Sequence, residues 1–255
     1  MAYSEIQPHP ALQTYIDAYW VSEITDYALH KTKILPDGCV DIIFNIEDDY
    51  RTDNGTLLMK SEAIYLIGTM MRFKEYNTIG KVKLLGVRFK PAALFYFFKL
   101  SSLHEFTDQS IELKKNEFPV IHCIDENTVA HLDRFFLHRL SPPKYSILPI
   151  IQDIHAQNGQ LKVSKLAKQH FTTPRQLERH FKSSVGVSPK DLISIVRYQF
   201  ASQKIKNDTS GKCLAEFAFE SGYYDHAHLT KEIKRFTGSA PSQLYILSHF
   251  YKVNS

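Results

Sequence analysis

The chain has 255 residues, of which 44% are hydrophobic and 23% charged, a balance that excludes a disordered or low-complexity chain and suits two compact domains. No apolar run approaches the roughly 18 to 20 residues of a membrane helix, and the start, Met1 to Glu5, lacks the basic and apolar pattern of an export signal, so a cytoplasmic protein with no membrane partner is expected. The net charge of +4 is unevenly spread: residues 1–143 hold 15 Lys and Arg against 19 Asp and Glu, whereas residues 144–255 hold 16 against 8. A basic half joined to an acidic one points to a polyanion as the partner of the second half.

In the first half, segments rich in Val, Ile, Tyr and Phe predict strands at 19–24, 32–35, 40–46, 64–67 and 83–89. Turn signals at Pro36-Asp37-Gly38 and Asp53-Asn54-Gly55 separate some of them. Short strands in this number predict an antiparallel sandwich or barrel. After Pro91, the Phe- and Leu-rich stretch 92–100 predicts a helix with Leu94, Phe97 and Phe98 on one side. A second helix is expected over 127–140, where Val129, Leu132, Phe136 and Leu140 form an apolar stripe. The stripe either covers the sheet or meets a second copy, which makes a homodimer a candidate assembly.

No catalytic constellation is legible in this half. Its histidines are scattered without metal-ligand spacing, and no Gly-rich phosphate loop is present, so no metal, no cofactor and no enzyme activity are expected. Cys39, Cys123 and Cys213 are far apart and read as buried reduced thiols. Turn chemistry accounts for Asp37, and an alternating strand exposes Asp41. Trp20, Tyr65 and Phe89 read as core in preference to a ligand pocket.

Pro142-Pro143 interrupts any helix from upstream and marks the expected boundary, giving residues 1–143 and 144–255. The second half opens with a helix over 147–158, stopped at Asn158-Gly159. Ser164 is expected to cap a short helix through Gln169. Thr173-Pro174-Arg175-Gln176 is a capping box opening a helix to about Ser184. Leu177 and Phe181 point inward there, while Arg175, Glu178, Arg179 and Lys182 occupy the other faces. A short helix, a tight turn and a second helix with a basic exposed side is the layout of a helix-turn-helix, whose second helix enters the DNA major groove.

The segment then repeats. Leu177 to Lys182 answers to Leu229 to Lys234, and Gly186 to Leu192 to Gly238 to Leu244, at an offset of 52 residues; Ala167 answers to Ala218 at 51, so the second turn is one residue longer. Ser188-Pro189 starts a connecting helix to about Lys206, long enough to hold two reading helices about one DNA turn apart. The architecture expected is α+β: an antiparallel, barrel-like N-terminal domain with helices, then an all-α domain with two helix-turn-helix motifs.

The stretch from Ala218 through Gly222, Asp225, Leu229, Lys231 and Gly238 to Pro241 resembles the signature of the AraC/XylS family of bacterial transcription regulators, and 166–189 is similar to that family's other helix-turn-helix. The resemblance covers 147–247. Residues 36–44 and 85–91 resemble an uncharacterised, barrel-like domain often fused to such DNA readers. The resemblance implies a regulator whose two recognition helices occupy successive major grooves of double-stranded DNA, with a small-molecule effector and RNA polymerase as candidate partners. Its base-facing positions fall on Arg175, Glu178 and Arg179 in the first helix, and on His226, Ala227, Thr230 and Lys231 in the second.

Two departures stand out: Phe171 occupies a turn position often held by Gly, and Ile233 replaces the usual Phe. Arg179 suits base readout, since guanidinium can bond O6 and N7 of guanine together, whereas Lys182 suits phosphate or solvent. Glu178 either accepts from cytosine N4 or pairs with Lys182. Asp225 suits a helix N-cap better than a metal site with His226 and His228. The competing reading is a small-molecule-binding or enzymatic barrel protein with an accessory nucleic-acid-binding domain. An alkylation-repair regulator would need a clustered thiol site that Cys39 and Cys123 do not form.

Overall fold

The structure, a computed structural model, describes residues 1–52 and 57–244. The Asp53-Asn54-Gly55 turn, and the expected C-terminal region beyond residue 244, lie outside the described residues.

Strands β1 (Ala2–Ile6), β2 (Ile16–Ile24), β3 (His30–Ile34), β4 (Val40–Asn45), β5 (Tyr50–Thr52), β6 (Leu57–Met59), β7 (Ile64–Ile67), β8 (Lys74–Thr78), β9 (Val82–Phe89) and β10 (Ser110–Leu113) make up the first half. Six form one antiparallel sheet in the order β1-β2-β9-β4-β7-β10, and β3-β8 and β5-β6 form two ribbons. The sheet is open, with β1 and β10 as its edges, so it is barrel-like only loosely.

Alternation along the strands sends side chains to two different environments. Val40, Ile42 and Phe44 of β4 and Leu85, Val87 and Phe89 of β9 enter one core with Leu12, Ile16 and Tyr19. Their neighbours Asp41, Ile43, Leu84 and Arg88, with Trp20 of β2, face the other side, where they line a cavity of about 390 Å³. Trp20 pairs with Gly86 across β2 and β9. Its ring lies against Gly86 so closely that any Cβ there would overlap it.

Helix α1 (Thr128–Arg139) closes the first core. Leu132 and Phe136 of its stripe are fully buried there, and Val129 and Leu140 pack against it half-buried. Each such buried Leu or Phe is worth roughly 1.5–3 kcal/mol. Of the two readings of the stripe, covering the sheet or meeting a second copy, the structure shows the first. The helix expected over 92–100 is only a 3-10 turn, Ala93–Tyr96, entered through a left-handed Ala92 (φ 65°). That stretch is apolar all round, so burial rather than a 3.6-residue period shaped it.

The second half is helical: α2 (Leu148–Ala156), α3 (Val163–Gln169), α4 (Pro174–Ser184), α5 (Pro189–Lys206), α6 (Leu214–Glu220) and α7 (His226–Thr237). The capping boxes at Thr173/Gln176 and Ser188/Asp191 form as their side chains dictate. Ser164 does not cap α3; Lys162 is the N-cap, without a side-chain bond. Helix α5 is the spine. Leu192, Ile193 and Val196 join the core of α2–α4, whereas Ile195, Tyr198, Ala201 and Ile205 join that of α6 and α7. Cys39 is half-buried, and Cys123 and Cys213 are exposed rather than buried as the burial habit of Cys suggests, the latter because it is the N-cap of α6.

The two halves are keyed together at the end of α4. Thr69 Oγ1 donates to Val185 O, Thr107 Oγ1 donates to Gly186 O at 2.7 Å, and His104 Nδ1 meets the same oxygen at 2.8 Å. The Leu103 amide donates to Ser183 O at 2.7 Å. These carbonyls close a helix and have no intrahelical partner, so the N-terminal half supplies what the helix itself cannot.

Candidate nucleic-acid interface

Helices α3 and α4 are joined by residues 170–173, and α6 and α7 by 221–225, which reproduces the one-residue difference expected from the repeat. Each second helix buries one face. Leu177 and Phe181 of α4, and Leu229, Ile233 and Phe236 of α7, are fully buried, so Ile233 fills the core position that its substitution left open.

The opposite faces carry the candidate readers. Arg175, Arg179 and Lys182 are exposed on α4, as are His226, Ala227 and Lys231 on α7, while Glu178 and Thr230 are intermediate. Among the described residues, no ion pair holds Arg175, Arg179 or Lys231, so these cations are available to a polyanion. Glu178 is engaged: its Oε1 lies 3.3 Å from Lys182 Nζ, one helical turn on. Asp225 caps α7, its Oδ1 accepting from the His228 amide at 2.7 Å. Among the described residues no three or more His, Cys, Asp or Glu side chains are grouped to hold a metal ion.

Fixed pairs set the pose of these helices. His170 Nε2 meets Asp153 Oδ2 at 2.7 Å, tying the first turn to α2. His180 stacks on Tyr145 with centroids 4.3 Å apart, and burial with the neighbouring Arg179 charge lowers its pKa, which keeps the ring neutral near pH 7. In the second unit, Arg197 of α5 pairs with Glu232 of α7 at 3.2 Å and lies over Tyr223 at 4.7 Å. Glu220 accepts from Lys204 at 2.7 Å and from Lys212 at 2.6 Å, binding α6 to α5. The sequence reading missed the Arg197–Glu232 pair, whose one visible signal was a Glu at a position where the helical period expects an inward side chain.

Phe171 adopts the left-handed conformation (φ 50°) that glycine takes at little cost, and its side chain is 99% exposed. Phe171→Gly should therefore remove strain without losing packing and raise stability by about 1 kcal/mol. A urea midpoint that moves down would contradict this.

A sequence-family profile described as a helix-turn-helix domain matches residues 166–245, and one described as a domain of unknown function (DUF6597) matches residues 4–112. No curated protein sequence matches the chain. Solved structures to which this chain shows similarity include ToxT from Vibrio cholerae, at 11% identity and a TM-score of 0.49, covering 97% of this chain and 100% of that one. An AraC-type transcriptional regulator from Chromobacterium violaceum is 19% identical with a TM-score of 0.36, covering 38% of this chain and 87% of that one. The C-terminal domain of AraT, a response regulator from Geobacillus stearothermophilus, is 19% identical with a TM-score of 0.37, covering 44% and 95%. The chain therefore carries a helix-turn-helix domain over residues 166–245, behind a domain of unknown function over residues 4–112.

Proposed function

We propose that the protein reads a specific DNA site with α4 and α7 in successive major grooves, under the control of a small molecule held in the cavity of the N-terminal half. The observation that carries this reading is the duplicated helix with one face locked into a core and the other bearing unpaired cations, both copies keyed to α5. An 18-residue spine spans about 27 Å, against roughly 34 Å for one DNA turn, so helices packed at its two ends can reach successive grooves on one face. Residues 1–143 are assigned to control and 144–255 to DNA reading. RNA polymerase is the further partner this role calls for.

Arg175, Arg179, His226, Ala227, Thr230 and Lys231 are the proposed groove-facing residues. Glu178 and Lys182 form a pair that contacts the phosphate backbone through the lysine. The effector assignment rests on the cavity's position: Tyr198, Gln199 and Ser202 of the spine line it together with the sheet, so a molecule inside touches the helix that carries both readers.

Genomic fragments retained by the full chain would define the site, and titration against its single-base variants then tests the residues. Arg179→Ala should cost about 1 to 3 kcal/mol on the specific site and relax preference at one base pair. Lys182→Ala should weaken specific and random DNA alike, by a small amount. Equal weakening of every variant by Arg179→Ala would make Arg179 a phosphate anchor. Absence of salt-dependent binding to any duplex would overturn the DNA-reading proposal.

A further inference from the structure

The cavity of about 390 Å³ falls in the size range of small-molecule sites and is walled by aromatic and aliphatic side chains, among them Trp20, Ile24, Ile43, Tyr76 and Leu84. Its Lys, Arg and Asp side chains fall into two groups. On one side Lys33 is committed: its Nζ lies 2.7 Å from Glu75 Oε1, donates to Thr237 O at 2.8 Å and sits over the Phe73 ring. On the other side Arg88 faces three carboxylates, with Glu5 at 3.4 Å, Asp41 at 3.7 Å and Asp37 at 3.8 Å.

One guanidinium among three carboxylates leaves this corner with an excess of negative charge. Asp37 spends an oxygen on the Cys39 amide and Asp41 on the Trp20 indole N–H, at 2.9 and 2.7 Å. A carboxylate keeps further acceptor positions beyond one such bond. Ser202 of α5 also lines the cavity; it is 1% exposed, and its hydroxyl has no hydrogen-bond partner among the described residues. A buried hydroxyl without a partner is costly and marks a place where a ligand atom fits.

We infer that the cavity takes an amphipathic organic cation, an amine or ammonium with an apolar or aromatic body, its positive head beside Asp41 and Asp37. The inference rests on the reading of the cavity as an effector site and adds the charge of its occupant. A carboxylate ligand is disfavoured by the same geometry, because Lys33 is already paired with Glu75 and Arg88 already faces three acids. Aromatic walls suit the cation as well, since a positive head is attracted to the faces of Trp and Tyr rings. The cation in turn neutralises carboxylates that are otherwise held together at a cost, so apolar burial and charge pairing act in the same direction.

Trp20 is the chain's single tryptophan and lines the cavity, so its fluorescence reports occupancy directly. The full-length protein at pH 8 would be titrated with 4-phenylbutylamine, 4-phenylbutanol and 4-phenylbutyrate, three probes with one body and different head charges. The amine should change Trp20 emission saturably with at least tenfold higher affinity than the other two. Asp41→Asn, which keeps an acceptor for the indole N–H, should remove most of that preference. Tighter binding by the butyrate, no preference among the three, or an amine preference intact in Asp41→Asn would overturn the charge assignment and leave the cavity reading standing. Failure of all three probes to bind would overturn both.

Discussion

Glu232→Ala should lower the unfolding free energy by about 3 to 5 kcal/mol, because it leaves the Arg197 guanidinium buried without its counter-charge. The two side chains are 17% and 10% exposed, and Arg197 Nη2 reaches both carboxylate oxygens, at 3.2 and 3.4 Å. They bridge α5 to α7, so the loss falls on the pose of α7 as well as on the global fold. A domain's whole stability is of order 5 to 15 kcal/mol, and a change of this size weakens or melts the second unit. Urea unfolding followed by circular dichroism gives the number; a loss under about 1 kcal/mol would show the pair to be well hydrated. Replacing both partners, Arg197→Met with Glu232→Leu, should recover most of the loss, since the penalty lies in the orphaned charge. In the single variant the DNA contacts proposed for Lys231 should fail before those proposed for Arg179, because only α7 depends on this pair.

The helical half was largely legible because its signals are local. Thr173 with Gln176, and Asp225 ahead of α7, each satisfy donors within three residues of themselves and form the caps expected, and Ser188 with Asp191 adds a further capping box at the helix start expected there. The repeat added the topology, since two copies of one pattern must bury equivalent faces. The first half was less transparent. Strand β8, Lys-Glu-Tyr-Asn-Thr, has no apolar alternation to announce it and exists by pairing with β3, some forty residues upstream. Strand β1 is a mostly exposed edge. The left-handed Ala92 redirected a stretch whose composition reads as helix.

The cavity was the least visible feature, and the reason is distance along the chain. Trp20, Asp41, Arg88 and Ser202 lie on four elements that only the folded chain brings together. Read singly, Trp20 is a core aromatic and Asp41 an exposed strand residue. A signal was nevertheless present in the alternation: Gly86 and Arg88 sit on the face of β9 that turns away from Leu85, Val87 and Phe89, and Asp41 on the corresponding face of β4, opposite Arg88 in register. A glycine, an arginine and an aspartate on one face of central strands do not suit an apolar core, which is the cue that this face borders something else.

Asp41→Asn should stabilise the ligand-free protein at neutral pH. Burial raises the Asp41 pKa from its ordinary 3.8 to about 6, with Asp37 adding to the rise and Arg88 opposing it without cancelling it. Because the folded pKa lies above the unfolded one, the native state holds a proton that the unfolded chain releases. The stabilising effect of that proton is fully present below about pH 4 and is lost as pH rises through about 6. The gap corresponds to about 3 kcal/mol, which the charged carboxylate costs the fold at pH 7 and which asparagine avoids. The amide oxygen of Asn still accepts from the Trp20 indole, so the packing of that ring over Gly86 survives the change. Wild type should therefore lose stability between pH 4 and 7 more steeply than Asp41→Asn, and the two curves should converge at low pH. Urea midpoints across that range decide the matter. Parallel curves, or a variant less stable at pH 7, would mean that Arg88 compensates the carboxylate fully and that the corner carries no strain for a ligand to relieve.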